Sequence, residues 1–103
     1  MIVTTTVTEE ADARRLADLL IERRLAACVQ VAAITSTYRW AGAARTAPEI
    51  RLDAKTTAAR AGEAMAALRA AHPYDEPELI AVPVARASDG YAAWVRQETR
   101  RTD

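Results

Sequence analysis

The 103 residues fit one domain, and fourteen basic side chains against fourteen acidic ones exclude both a basic field for nucleic acid and an acidic tail. Half of the residues are hydrophobic, but there is no Phe and the apolar set leans on Ala, so the expected core is thin and a domain this small is expected to draw on partners. Cys28 is the only cysteine, which excludes an internal disulfide; with no signal peptide and no membrane-length apolar run, a cytoplasmic protein is expected.

Residues 1–7, MIVTTTV, are β-rich. The stretch TEEADARRLADLLIERR then predicts a helix, with Thr8 as N-cap, Glu9 and Glu10 in its first turn and Arg23 and Arg24 in its last. Its buried stripe is Ala13, Leu16, Ala17 and Leu20. LAACVQVAAITSTYRW follows without Gly or Pro and reads as one long strand. Val29 and Val31 have one parity, Ile34, Tyr38 and Trp40 the other. With one buried face such a switch requires an extra residue, so a β-bulge is expected near Ala32–Ala33. AGAARTAP reads as the turn.

In EIRLDAKT, Ile50, Leu52 and Ala54 alternate with Glu49, Arg51, Asp53 and Lys55, whose charges alternate in sign. That polar face is either solvated or an ion-pair ladder between subunits. TAARAGEAMAALRAAH predicts the second helix, capped by Thr56 or Thr57, with Ala61, Met65, Leu68 and His72 on one stripe. ELIAVPV is a strand whose Pro83 marks an edge or an end. SDGYAAWVRQETR predicts a last helix, with Ser88 as N-cap and Tyr91, Trp94 and Val95 facing inward. The order β-α-β-β-α-β plus a helix is the α+β, ferredoxin-like arrangement, an antiparallel sheet with helices on one face and the other open. All 103 residues are expected to belong to this single domain.

Candidate chemistry gathers in HPYDEPE. His72 precedes Pro73, which ends the helix there. A histidine at a helix C-terminus is favourable as a cap, and imidazole is also a common metal ligand. Asp75, Glu76 and Glu78 follow as potential oxygen ligands, or as an ordinary solvated loop. One His and one Cys do not fill a tetrahedral zinc site, although a trimer holds three of each. Cys28 reads as a buried, inert thiol. Tyr38 and Trp40, large groups beside a turn, suit an interface.

Only Gly42, Gly62 and Gly90 supply glycine, so there is neither a phosphate loop nor a dinucleotide fingerprint. Ser36 and Ser88 are the only serines, neither is in a nucleophile elbow, and Asn is absent. No enzyme is expected.

The sequence resembles the CutA divalent-cation tolerance family through RLAACVQV (24–31), TSTYRWAG (35–42), EIRLDAKT (49–56), HPYDEPELIAVPV (72–84) and YAAWV (91–95). The resemblance implies a tight homotrimer whose open sheet faces pack together, with long strands reaching to neighbours. It further implies a cytoplasmic role in tolerance of copper and other divalent metals, with no catalytic activity. Copper binding in that family is attributed to a first-strand Cys and two consecutive His before Pro-Tyr. Here Thr5 and Ala71 stand at two of those positions and only His72 remains. The implied site is therefore a weak Cu(II) or other divalent-cation site at His72, aided by Asp75, Glu76 and Glu78 or by neighbouring subunits. The alternative implied by the related trimeric PII signalling proteins is a regulatory trimer. It would take a small anionic metabolite in an inter-subunit cleft lined by Tyr38, Trp40, Glu49, Lys55, His72 and Tyr74.

Overall fold

The computed structural model describes residues 1–101. Its elements are β1 (Ile2–Val7), α1 (Glu10–Glu22), β2 (Cys28–Trp40), β3 (Ala43–Lys55), α2 (Ala58–Ala71), β4 (Leu79–Val82) and α3 (Asp89–Glu98). The strands form one antiparallel sheet in the order β2-β3-β1-β4, as the ferredoxin-like reading requires. β4 is thus an edge strand that ends just before Pro83, so the missing N–H interrupts no pairing.

Val3, Thr5 and Val7 of β1 share a face with their partners Ala54, Leu52 and Ile50, and α1 and α2 cover it. The core is formed by Val3, Val7, Leu16, Leu20, Leu52 and Leu68, with Ala13, Ala54, Ala61 and Ala64 filling the narrow spaces. It is as thin as the composition implies: the largest fully buried apolar side chains are Leu and Val. Ala17 and Met65 are only partly buried at its margin.

The helices differ from expectation at three places. Glu9, not Thr8, is the N-cap of α1 and makes no side-chain bond, because the Thr8 hydroxyl is engaged by Tyr74. The C-terminus of α1 closes before the two arginines. Arg24 takes a left-handed φ of 57°, and the N–H groups of Arg24 and Leu25 bond to the carbonyls of Ile21 (3.1 Å) and Leu20 (2.9 Å). This is a Schellman closure with Arg where Gly is usual. In α3, Val95 is buried, whereas Tyr91 and Trp94 lie at 42% and 43% exposure instead of facing inward. Of the two candidate caps of α2, Thr57 accepts from the Arg60 N–H at 3.2 Å.

The two long helices also cap one another. Arg15 of α1 donates to the carbonyl of Ala71 at the end of α2 (2.9 Å), and Arg60 of α2 reaches the carbonyls of Arg23 and Arg24 beyond the end of α1 (3.5 and 3.4 Å). Each guanidinium meets the negative end of the neighbouring helix dipole.

The expected bulge is absent. β2 and β3 pair without a break from Cys28↔Lys55 to Trp40↔Ala43. Val29, Val31 and Ala33 share the helix face with Ala54, Leu52 and Ile50, and Ile34, Tyr38 and Trp40 lie on the open face. The parity switch is met by a change in which face is apolar. β1 stops at Val7↔Ile50, and beyond it the β2–β3 ribbon runs on alone. AGAARTAP is likewise mostly strand: only Ala41 and Gly42 turn, with φ of 52° and 77°. Positive φ at both central residues is the I′ geometry that matches strand twist. Pro48 pairs with Thr35 on the projecting ribbon, past β1, where no strand asks for its N–H on the outer side.

Candidate functional site

The projecting ribbon, the end of β1 and the 73–78 loop enclose a cleft of about 960 Å³. Thr6, Thr8, Ser36, Thr37, Tyr38, Trp40, Glu49, Tyr74, Asp75, Glu76 and Glu78 are among its lining residues. Each arrives for a local reason. Tyr38 and Trp40 lie on the open face of the ribbon, and Glu49 shares that face as the partner of Ile34. Pro73 ends α2 at His72, whose backbone is extended (φ −70°, ψ 139°), and so throws Tyr74 and the acidic residues over the end of β1.

Tyr74 ties the parts together. Its hydroxyl donates to Glu49 Oε2 at 3.3 Å and is hydrogen-bonded to Thr8 Oγ1. Burial raises the Tyr74 pKa above its usual value, the neighbouring Glu49 carboxylate adds to the rise, and the Thr8 bond opposes it. The phenol stays protonated and holds Glu49 as its acceptor. The lining carries four carboxylates and no cationic side chain. Among the described residues, however, no three His, Cys, Asp or Glu side chains converge as a metal-binding group.

His72 is behind this cleft and not in its lining. Its ring packs edge-on against Tyr74, with centroids 4.9 Å apart. Nδ1 accepts the Tyr74 backbone N–H at 3.0 Å, which fixes the proton on Nε2 in the neutral ring. Nε2–H faces the Thr6 carbonyl and Thr5 Oγ1, each at 3.0 Å. Thr5 Oγ1 in turn donates to the Glu78 carbonyl at 2.7 Å. Burial depresses the His72 pKa below 6.5, and Arg15 acts in the same direction, while the Thr6 carbonyl and Asp12 act against it. Both ring nitrogens are therefore used within the fold, Nε2–H as donor and the one free lone pair, on Nδ1, as acceptor. His72 thus serves here as a cap inside the fold, its unprotonated nitrogen taken by the bond from the Tyr74 N–H.

Of the residues expected to line one cleft, Tyr38, Trp40, Glu49 and Tyr74 come together. Lys55 does not: it is six residues along β3 from Glu49, roughly 20 Å at strand rise, and bonds to Gln30 Oε1 at 2.8 Å. The charged strand face splits accordingly, since Arg51 and Asp53 pair with one another (3.1 Å) and Thr4 donates to Asp53 (2.7 Å). Cys28 is on the open face and half-buried, not in the core. The role of Thr5 has a sequence signal of its own: a Thr at a core-facing position between Val3 and Val7 requires a polar partner inside the fold, and His72 is that partner.

Comparison with known proteins agrees with this fold. Residues 1–98 match the family described as CutA1 divalent ion tolerance protein. The divalent-cation tolerance protein CutA of Thermus thermophilus is 39% identical over 99 residues, 95% of this chain and 96% of that protein. Its counterpart in Pectobacterium atrosepticum is 33% identical over 101 residues, 97% and 92% of the two chains. The crystal structure of CutA from Xylella fastidiosa superposes with a TM-score of 0.92 at 37% identity, covering 96% of each chain.

Proposed function

The chain belongs to the CutA1 divalent ion tolerance family, and from that premise we propose that it acts in divalent-cation tolerance as a non-enzymatic cytoplasmic homotrimer that holds Cu(II) and similar ions weakly in the cleft beside Tyr74. The observation that carries the reading is the lining itself: Glu49, Asp75, Glu76 and Glu78 without one cationic side chain. Such a lining raises the local concentration of divalent cations. Without a converging ligand set among the described residues, binding is weak and exchangeable, as suits a protein that responds to metal and does not store it. An anionic metabolite in the same cleft meets four carboxylates and gains no ion pair.

The trimer is supported by the apolar groups left on the open face. Tyr38, Trp40, Ile80 and Val82 are 43%, 61%, 47% and 45% exposed in the single chain, and exposed aliphatic and aromatic groups on one surface favour association. Among the described residues no helix is long and apolar enough to cross a membrane, and the lone thiol of Cys28 accords with a reducing compartment.

Calorimetric titration with Cu(II) and Zn(II) tests the reading. Glu49→Gln combined with Glu76→Gln should abolish most of the metal heat, while His72→Ala should leave it largely intact. Metal heat that survives the double change and disappears in His72→Ala would move the site to the imidazole. Light scattering should give three times the chain mass at micromolar concentration, and a folded monomer there would remove the trimer.

A further inference from the structure

At the opposite end of the sheet, where β3 leads into α2 and α3 meets the start of β1, a second pocket of about 280 Å³ opens. Met1, Val84, Ala92 and Val95 contribute apolar walls, and Lys55 and Arg96 are its only charged side chains. The sign is the reverse of the acidic cleft: two cationic side chains, with the Met1 ammonium bonded to the Thr56 carbonyl beside them, and no carboxylate. Arg96 makes no ion pair among the described residues, and Lys55 is bonded only to the neutral amide of Gln30.

A second feature of the same wall is Thr56. It is 4% exposed, it lines the pocket, and its Oγ1 has no hydrogen-bond partner. Buried hydroxyls are nearly always satisfied, so a lone one calls for an explanation. The neighbouring hydroxyl, Thr57, is used as the cap of α2 and makes no such demand.

We infer that this pocket binds a small organic monocarboxylate. The carboxylate would be gripped between Lys55 and Arg96, with the Thr56 hydroxyl donating to it, and a compact apolar body would rest on Met1, Val84 and Val95. Ligand pockets span about 300–1,000 Å³, so this one is at the small end and excludes nucleotides and other extended metabolites. Its largely apolar walls suit an organic body more than an inorganic phosphate, and one carboxylate is matched by an Arg and a Lys. The inference is independent of the cation reading, because the two pockets share no residue.

The test is an NMR titration of the full chain with benzoate, using benzamide as the uncharged isostere. Benzoate should give saturable amide shifts around Lys55, Thr56 and Val95, and benzamide should bind about tenfold more weakly or worse. Lys55→Met and Arg96→Met should each weaken benzoate at least severalfold. Thr56→Val should do the same and Thr56→Ser should restore it, while Glu49→Gln should have no effect. If Thr56→Val fails to fold, the Lys55, Arg96 and Thr56→Ser measurements still decide. No saturable shift in the millimolar range, equal binding of benzamide, or shifts centred on Tyr74 and Glu49 would overturn the inference.

Discussion

Thr5→Val isolates the bond that joins β1 to the 73–78 loop. Thr5 is fully buried, and Val has nearly the same shape, so no cavity forms. Two hydrogen bonds disappear, Oγ1 to the Glu78 carbonyl at 2.7 Å and His72 Nε2 to Oγ1 at 3.0 Å. Each is worth about 0.5–1.5 kcal/mol net, and a carbonyl left without a partner adds to the loss. Against this, a buried methyl in place of a hydroxyl returns about 0.8 kcal/mol. His72 retains the Thr6 carbonyl, which limits the damage on its side. The balance is a destabilisation of about 1–2 kcal/mol, read from urea midpoints at matched protein concentration. Because the two residues touch, the cycle with His72→Ala should show a coupling of about 0.5 kcal/mol or more. Wild-type stability in Thr5→Val together with zero coupling would mean that these bonds do not hold the loop.

Stability should depend on pH through His72. Its folded pKa is below the ordinary 6.5 because of burial, so below 6.5 the unfolded chain takes up a proton that the native ring refuses. Stability is complete above about pH 6.5, falls as the pH drops below it, and levels off beneath the folded pKa. A His72→Gln variant with an undiminished slope between pH 7 and 5 would assign that dependence to other groups. Ala41→Asn should stabilise the hairpin by up to about 1 kcal/mol, since Asn accepts the left-handed φ of 52° that Ala resists; a lowered urea midpoint would contradict the I′ reading. Thr5→Cys with Ala71→His rebuilds the ligand set implied by the family resemblance, and the side chain of residue 5 already reaches His72 Nε2 at 3.0 Å. Cu(II) affinity should rise at least tenfold, about 1.4 kcal/mol; affinity equal to the parent would show that the set does not transfer to this chain.

The fold was legible because periodicity and punctuation agreed along most of the chain. The alternation of Ile50, Leu52 and Ala54, the cap at Thr57 and the stop at Pro73 are local signals, and each appears where expected. The register of β2 was not legible. A parity switch is ambiguous between a bulge and a change of apolar face, and only the length of β1 decides which occurs. The cleft was read in part for the same reason: Tyr38, Trp40, Glu49 and Tyr74 follow from strand parity and the helix stop. Lys55 shares Glu49's parity too, but parity fixes the face of a strand and says nothing of distance along it. The role of His72 depends on Thr5 and Thr6, more than sixty residues earlier, and no local pattern connects them.

The unbroken pairing of β2 and β3 links the two pockets to the neutral overall charge. One polar row, Glu49, Arg51, Asp53 and Lys55, runs the length of β3 on the open face. Its inner members are internally neutralised: Arg51 pairs with Asp53, and Asp53 also accepts from Thr4. Its ends are not. Glu49 adds to the carboxylates of the 73–78 loop, and Lys55 joins Arg96 from α3. A chain with balanced charge thus presents an acidic cleft at one end of its sheet and a cationic pocket at the other, roughly 20 Å apart along the strand. At that separation the fields of the two ends are screened from one another at physiological salt, where the Debye length is about 8 Å. Charge reversal at Glu49 should therefore leave the carboxylate pocket unaffected, and reversal at Lys55 should leave metal binding unaffected, so the two sites can be altered separately within one fold.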